Sequence, residues 1–188
     1  MNAPTVLVLA SGRGERFTAS GGVGSKLHAL IDGVRVIDRT LAAVRASGLP
    51  YHVEDAGHAG MGDSIAAAVR ATRDANGWLV VPADLPLIQP VSFVAVAAAL
   101  ASHPVVVPFY RDTKGDTKGE SKGHPVGFAR SCIDELLGVS GEEGAASVVR
   151  AHMARGDVHR LALDDIGAVT DIDTLADIDR ALQLLRSQ

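Results

Sequence analysis

Two short stretches of this chain place charge and glycine where a buried strand would end. The first is LASGRGERF, residues 9–17, in which Gly12 and Gly14 alternate with Arg13 and Arg16; Lys26 follows ten residues after Arg16. Glycines let backbone N–H groups approach an anion, and the cations supply opposing charge, so the stretch suits a phosphate. Equally, the glycines can serve only to turn the chain while the arginines are solvated. The second is VPADLP, residues 81–86, in which Asp84 is bracketed by Pro82 and Pro86. A carboxylate at a strand end can hold Mg²⁺, which takes one or two carboxylates together with phosphate oxygens and water; it can also simply cap a turn. A cationic loop and a strand-end carboxylate together describe a metal–nucleotide site.

Two familiar phosphate loops do not fit. The dinucleotide fingerprint requires a third glycine where this chain has Phe17, and the Walker loop requires Gly-Lys-Ser/Thr, whereas GSKL at 24–27 has those letters in another order. No Ser/His/Asp triad or reactive cysteine stands out. His28, His58 and His103 are too scattered for a structural metal site, and the lone Cys132 is expected to pack as a small apolar residue at a helix start.

The elements that must carry these residues follow from the apolar pattern. Residues 5–9, 77–86, 104–108 and 124–129 read as buried strands, with shorter strands expected at 51–53, 158–163 and 168–170. Helical spacing predicts helices over 37–46, 91–102 (opened by Pro90), 131–137, 142–154 and 175–186. A further helix is expected to be N-capped by Asp63, and Thr174 with Asp177 resembles a capping box for the last one. Buried strands alternating with amphipathic helices imply an α/β fold, a mostly parallel sheet with helices on both faces. Ligands on such sheets bind beyond the carboxyl ends of the strands, which singles out the loops after Leu9 and Ala83.

The bulk composition narrows the class. The 188 residues fit one domain, 1–188, and 47% apolar residues can fill its core. A net charge of −4 argues against general attraction to nucleic acid or membranes. No apolar run reaches the roughly 18 residues of a membrane span. The N-terminus lacks a secretory pattern, and a single cysteine excludes an internal disulfide, so a soluble cytoplasmic protein is expected. DTKGDTKGESKG, residues 112–123, is a charged near-repeat expected to form a mobile surface loop.

Taken in order, LASGRGERF with SKL, GMGDS, PADLP, GHPVGF, GEEGA and DIDTLADI resemble the motifs of the molybdenum-cofactor nucleotidyltransferases, the MobA-like NTP transferases, over almost the whole chain. The resemblance implies a three-layer, Rossmann-like nucleotide-diphospho-sugar transferase fold and transfer of a nucleoside monophosphate from NTP to a phosphorylated acceptor. The cytidylyl branch looks closer than the guanylyl branch, because Ser11 is small without being glycine. That favours CTP, a pterin-type acceptor, Mg²⁺ as cofactor, and a molybdoenzyme as recipient of the product. Carried over by residue, Ala10, Ser11, Gly12, Arg13, Gly14 and Ser64 would hold the nucleotide, with Ser11 and Ser64 near base or ribose and Arg16 on the triphosphate. Lys26 would neutralise charge on the α-phosphate, and Asp84 would bind the metal. His124 and Pro125 would line the acceptor side, although His124 can equally be a structural, hydrogen-bonded residue at a strand start. Asp171 and Asp173 would add a second metal carboxylate or precede and cap the last helix, the capping reading being favoured for Asp173. A non-catalytic cofactor carrier, or a nucleotidyltransferase for another phosphorylated metabolite, would share much of this pattern. Two departures from the family pattern are a short segment between Leu49 and Met61, and the extra TASGGVG before Lys26.

Overall fold

The computed structural model describes residues 3–12, 14–111 and 119–187. Arg13 and residues 112–118, most of the charged near-repeat, lie outside the described residues. The valine-rich run Thr5–Leu9 forms β1 at the heart of the sheet, buried throughout. It pairs in parallel with β4 (Tyr51–Glu54) and with β5 (Gly77–Pro82), in a register that sets Leu9 beside both Glu54 and Pro82. β5 is followed across the sheet by β8 (Val126–Ala129), which runs antiparallel, and then by β6 (Val105–Arg111). β9 (Val158–Leu163) lies parallel to β6 along its length. That leaves β7 (Glu120–Lys122) to share with β8 the other edge of β6. Seven strands thus make one mostly parallel sheet among the described residues, while β2 (Leu30–Ile31) and β3 (Val34–Arg35) form a separate small hairpin.

Strand alternation divides the core in two. Val6, Val8, Leu79, Val81 and Val106 face one side and pack under α2 (Val36–Ala46), α4 (Pro90–Ala99) and α7 (Leu175–Arg186). Leu7, Trp78, Val80, Val105 and Val107 face the other, under α3 (Met61–Ala71), α5 (Ile133–Leu137) and α6 (Ala146–Arg155). The three layers expected from sequence are present. Among the described residues, no helix is long and apolar enough to cross a membrane.

Several local expectations are corrected. α3 begins at Met61 with Gly60 at its N-cap; Asp63 sits in the first turn, and its Oδ2 accepts a hydrogen bond from Gly141 N at 3.1 Å. The helix expected from Glu142 starts only at Ala146, because Gly141 and Gly144 adopt positive φ values of 67° and 59°. Residues 168–170 do not form a strand. Ile166–Val169 is a 3₁₀ turn whose Gly167 N–H is held by Asp165 Oδ1 at 2.9 Å, so its backbone is satisfied locally. The last helix matches its expected bounds, and its Thr174–Asp177 capping box is formed. The short segment after Leu49 leaves β4 as the sheet's edge strand, leading directly through residues 55–60 into α3.

The 166–169 turn packs so closely on the chain after β5 that a Cβ on Gly167 would stand 2.0 Å from the Leu87 carbonyl oxygen. Gly167→Ala is therefore expected to lower stability by about 1–3 kcal/mol through forced backbone displacement. Urea denaturation should show an earlier midpoint with an unchanged slope.

Candidate functional site

Beyond the carboxyl ends of β1 and β5 the chain encloses a cavity of about 470 Å³. Its floor is set by backbone ties between neighbouring segments. Ala83 N donates to Leu9 O at 3.0 Å, Ala10 N to Glu54 O at 2.8 Å, and Ile172 N to Asp84 O at 3.0 Å. The buried Thr40 hydroxyl of α2 donates to the Ala83 carbonyl at 2.9 Å. Asp84 is thus fixed from three sides, and the segment carrying Asp171 and Asp173 is fastened beside it. Ile172, between those two aspartates, is fully buried in the core.

The charged centre of the cavity is Lys26. Its Nζ lies 2.6 Å from Asp84 Oδ2 and 2.7 Å from Asp173 Oδ1, and the Lys26 and Asp84 side chains are each only 12% exposed. Burial works to lower the lysine pKa, but the two carboxylates outweigh it and hold it above the ordinary lysine value, so the ammonium stays charged. Arg16 also pairs with Asp173, but its side chain is 79% exposed, and such a pair contributes little by itself.

Delivery of Lys26 depends on Phe17, the residue that breaks the dinucleotide fingerprint. Phe17, midway along α1 (Glu15–Ala19), is buried in the core, and Gly22 lies against its ring, where a Cβ would be 2.3 Å away. Ser20 Oγ accepts from Leu175 N at 3.1 Å, tying the TASGGVG segment to the start of α7. The chain then turns at Lys26–His28, with Ser25 Oγ accepting from Leu27 N.

Of the residues singled out from sequence, Ser11, Gly12, Gly14, Arg16, Lys26, Ser64 and Asp84 line this cavity. Ala10 lies behind it in the β1–β4 ladder extension. Asp171 is not among the lining residues, although its carboxyl is raised above the usual range by burial and by the charges of Asp84 and Asp173. Asp173 does not cap α7; Thr174 and Asp177 do so, which frees its carboxylate for Lys26 and Arg16. His124 and Pro125 are likewise not among the cavity-lining residues. The His124 ring is bonded to the Val80 backbone, the backbone N–H of His124 donates to Ala168 O at 2.9 Å, and the ring Nδ1 is sealed from solvent without a partner. These contacts are those that the structural reading of this histidine expects.

His58 and Glu142, to which the sequence assigned no part in this site, also line the cavity at its rim, and Asp173, a metal-carboxylate or capping candidate, lies at its floor. His58 Nε2 lies 3.1 Å from Oε1 of the buried Glu54, which also accepts from Ala56 N. Burial works against the Glu54 charge, but Ala56 N–H, His52 and His58 outweigh it and keep the carboxyl below its usual range. The signal for Asp173 was its alternation with Asp171 about a buried isoleucine. The opposite wall is closed by the turn before α6. Gly62 N donates to Gly141 O at 2.7 Å, and a Cβ on Gly60 would lie 2.4 Å from Gly141 C.

The donor set fits a hard divalent cation. Asp84 Oδ1 is buried without a hydrogen-bond partner and is adjacent to further carboxylates, as a cation ligand would be.

Burial pushes the His124 pKa down from 6.5 to about 4. The unfolded chain therefore takes up this proton at higher pH than the folded one. The stability from His124 is intact above about pH 6.5 and is lost as pH falls towards about 4. Denaturation at pH 7 and pH 5 should show a loss at the lower pH that shrinks in His124→Gln.

The MobA-like NTP transferase domain matches residues 42–156, more than half of the chain, including Ser64 and Asp84 but starting after the Gly12–Lys26 segment. No match was found among curated proteins. Among solved structures, the chain is similar to the Rv0371c protein of Mycobacterium tuberculosis H37Rv, at 22% identity and a TM-score of 0.76, covering 97% of this chain and 99% of that one. Rv0371c has also been solved in complex with manganese. A nucleotidyl transferase of Methanothermobacter, Mth528, is 19% identical with a TM-score of 0.72 over the full length of both chains. A CMP:2-keto-3-deoxy-manno-octonic acid synthetase complexed with CTP is 16% identical with a TM-score of 0.61, covering 100% of this chain and 99% of that one. These likenesses agree with the layered sheet described above and establish the nucleotide-diphospho-sugar transferase fold. With its strand-end aspartate and glycine-lined wall inside the matched region, the chain belongs to the MobA-like NTP transferase family.

Proposed function

We propose that this cavity transfers a nucleoside monophosphate, CMP from CTP, to a phosphorylated acceptor of the molybdopterin type. The observation that carries the reading is the Lys26 ammonium held between Asp84 and Asp173 beneath the Gly12–Gly14 loop. An acceptor phosphate oxygen attacks the α-phosphorus of the nucleotide. The bond from that phosphorus to the oxygen bridging to the β-phosphate breaks, and its electron pair leaves with pyrophosphate. The attacking oxygen is already anionic, so no general base is required.

Lys26 opposes the negative charge spread over the α-phosphate and the departing pyrophosphate. Its carboxylate partners fix the ammonium before substrate arrives, so little reorganisation is needed at the moment of reaction. Arg16 reaches the outer phosphates. Ser11 and Ser64, set against the narrow wall at Gly60, border the base and ribose. Asp84, with Asp171 or Asp173 beside it, would hold Mg²⁺, which when bound supplies charge neutralisation to the phosphate oxygens. The manganese complex of Rv0371c and the CTP complex of the octonic acid synthetase, each a property of that protein, support the metal and nucleotide parts of this reading.

The test is pyrophosphate release by the purified protein with Mg²⁺ and each NTP, with and without molybdopterin or molybdenum cofactor. CTP with the pterin acceptor should give the highest turnover. Lys26→Ala should lower turnover by about 10²–10³-fold or more, the scale of losing one preorganised charge donor, while the far-ultraviolet circular dichroism stays unchanged. Asp84→Asn should abolish both activity and its dependence on Mg²⁺. Near-normal turnover in Lys26→Ala, or no release with any pairing, would overturn the reading.

A further inference from the structure

A second cluster of reactive side chains lies at the end of the sheet opposite the cavity, where β6 begins and β8 ends. Cys132, at the end of the 3₁₀ turn Arg130–Cys132, has its Sγ 3.8 Å from His152 Nε2. His152 Nε2 is in turn 2.8 Å from Glu135 Oε2. The three donor atoms all lie within 4.8 Å of one another. Cys132 and His152 are buried, and Glu135 reaches solvent.

We propose that Cys132, Glu135 and His152 bind one divalent cation of the zinc class, with water entering from the Glu135 side as fourth ligand. A thiolate, an imidazole and a carboxylate form a set that zinc accepts and that magnesium does not favour. Zn–S near 2.3 Å and Zn–N or Zn–O near 2.0–2.1 Å place tetrahedral ligands about 3.3–3.6 Å apart. The sulfur–nitrogen separation is already close to this. The nitrogen–oxygen separation must open by about half an ångström, and the exposed Glu135 side chain can give that.

The surroundings carry the argument further. His152 Nδ1 is sealed from solvent without a hydrogen-bond partner, and it faces Asp157 Oδ2 at 3.7 Å. If a neutral His152 donates Nε2–H to Glu135, its Nδ1 lone pair is buried towards a carboxylate. With Nε2 on a cation, the proton resides on Nδ1 and Asp157 becomes its acceptor, the usual outer partner of a metal-bound imidazole. The second oxygen of Glu135 is held by Arg155 Nη2 at 3.0 Å. As the sulfur–metal bond forms, the Cys132 thiol gives its proton to solvent. The cation, thiolate and carboxylate then sum to zero charge, and Arg155 and Asp157 offset one another. Cys132 and Glu135 belong to the start of α5 and His152 to α6, so the cation staples the two helices whose connecting turn closes the cavity wall at Gly60 and Gly62.

The competing arrangement is an imidazolium clamped between Glu135 and Asp157 with no cation. The full-length chain, stripped with EDTA and desalted, is titrated with Zn²⁺ against a chromophoric chelator and with Co²⁺ by absorption. The expected result is a thiolate-to-cobalt charge-transfer band in the near ultraviolet, one proton released by the thiol, and a Zn²⁺-dependent rise in Tm. Band and Tm rise should be lost in Cys132→Ser and kept in Asp84→Asn, which separates this site from the cavity. Asp157→Asn should keep the band and weaken Zn²⁺ by about 10-fold. No thiolate band in the wild type, or an equal Zn²⁺ response in Cys132→Ser, overturns the proposal. Cys132→Ser and Asp157→Asn are near-isosteric, and circular dichroism checks that each is folded.

Discussion

A lysine ammonium drawn out of water must be met by negative charge supplied by the fold, and at Lys26 that charge comes from two directions. Asp84 arrives at the end of β5, Asp173 on the segment before α7, and Lys26 on the turn after α1. These three come from distant parts of the chain, so their meeting tests the whole architecture. The β1–β5 register places Asp84, Ile172 anchors the aspartate segment to its backbone, and Phe17 under Gly22 returns the loop that carries the lysine. If any of these is displaced, the ammonium faces apolar surroundings instead of two carboxylates, which is the costly way to break a buried pair.

The two-sided core explains why such a site can persist. On one face the Thr40 hydroxyl of α2 fixes the backbone beside Asp84 from below, while on the other α3 and the turn before α6 meet backbone to backbone to build the wall. Gly60 and Gly62 allow that turn to approach closer than any side chain would permit. The wall therefore closes against that turn while Ser11 and Gly60 both border the cavity. His58, held by the ionised Glu54, marks the outer edge of that space.

The parts of this arrangement legible in sequence were those with a local signature. Buried valine runs, the Thr174–Asp177 capping box and the strand-end Asp84 each announce themselves over a few residues. The parts that were not legible depend on contacts across the chain. Asp173 looked like a cap because its local context is a helix start, and only the fold shows that Asp177 does the capping while Asp173 reaches Lys26. Residues 168–170 carried strand-like composition, but Asp165 satisfies that backbone locally and Gly167 is pressed on Leu87, so no ladder forms. His124 had a motif-like setting, and its actual partners, Val80 and Ala168, lie far away in sequence. Cys132 read as packing because nothing near it in sequence revealed His152.

Charge at the cavity floor has a further consequence for how ligands enter. Among the described lining residues Asp84 and Asp173 balance Lys26 and Arg16, and Glu15 and Glu142 bring further negative charge to the rim. A triphosphate brought against that surface alone would be repelled, since like charges within a few ångströms cost more in a half-buried site than in water. On the proposed reading, a divalent cation at Asp84 would offset that charge, and the phosphate oxygens of the nucleotide would in turn be drawn to it. Each ligand would thus improve the site for the other, and by thermodynamic linkage the factor would be the same in both directions. On the proposed reading, the aspartates that hold Lys26 in the empty cavity are also what make nucleotide binding conditional on metal.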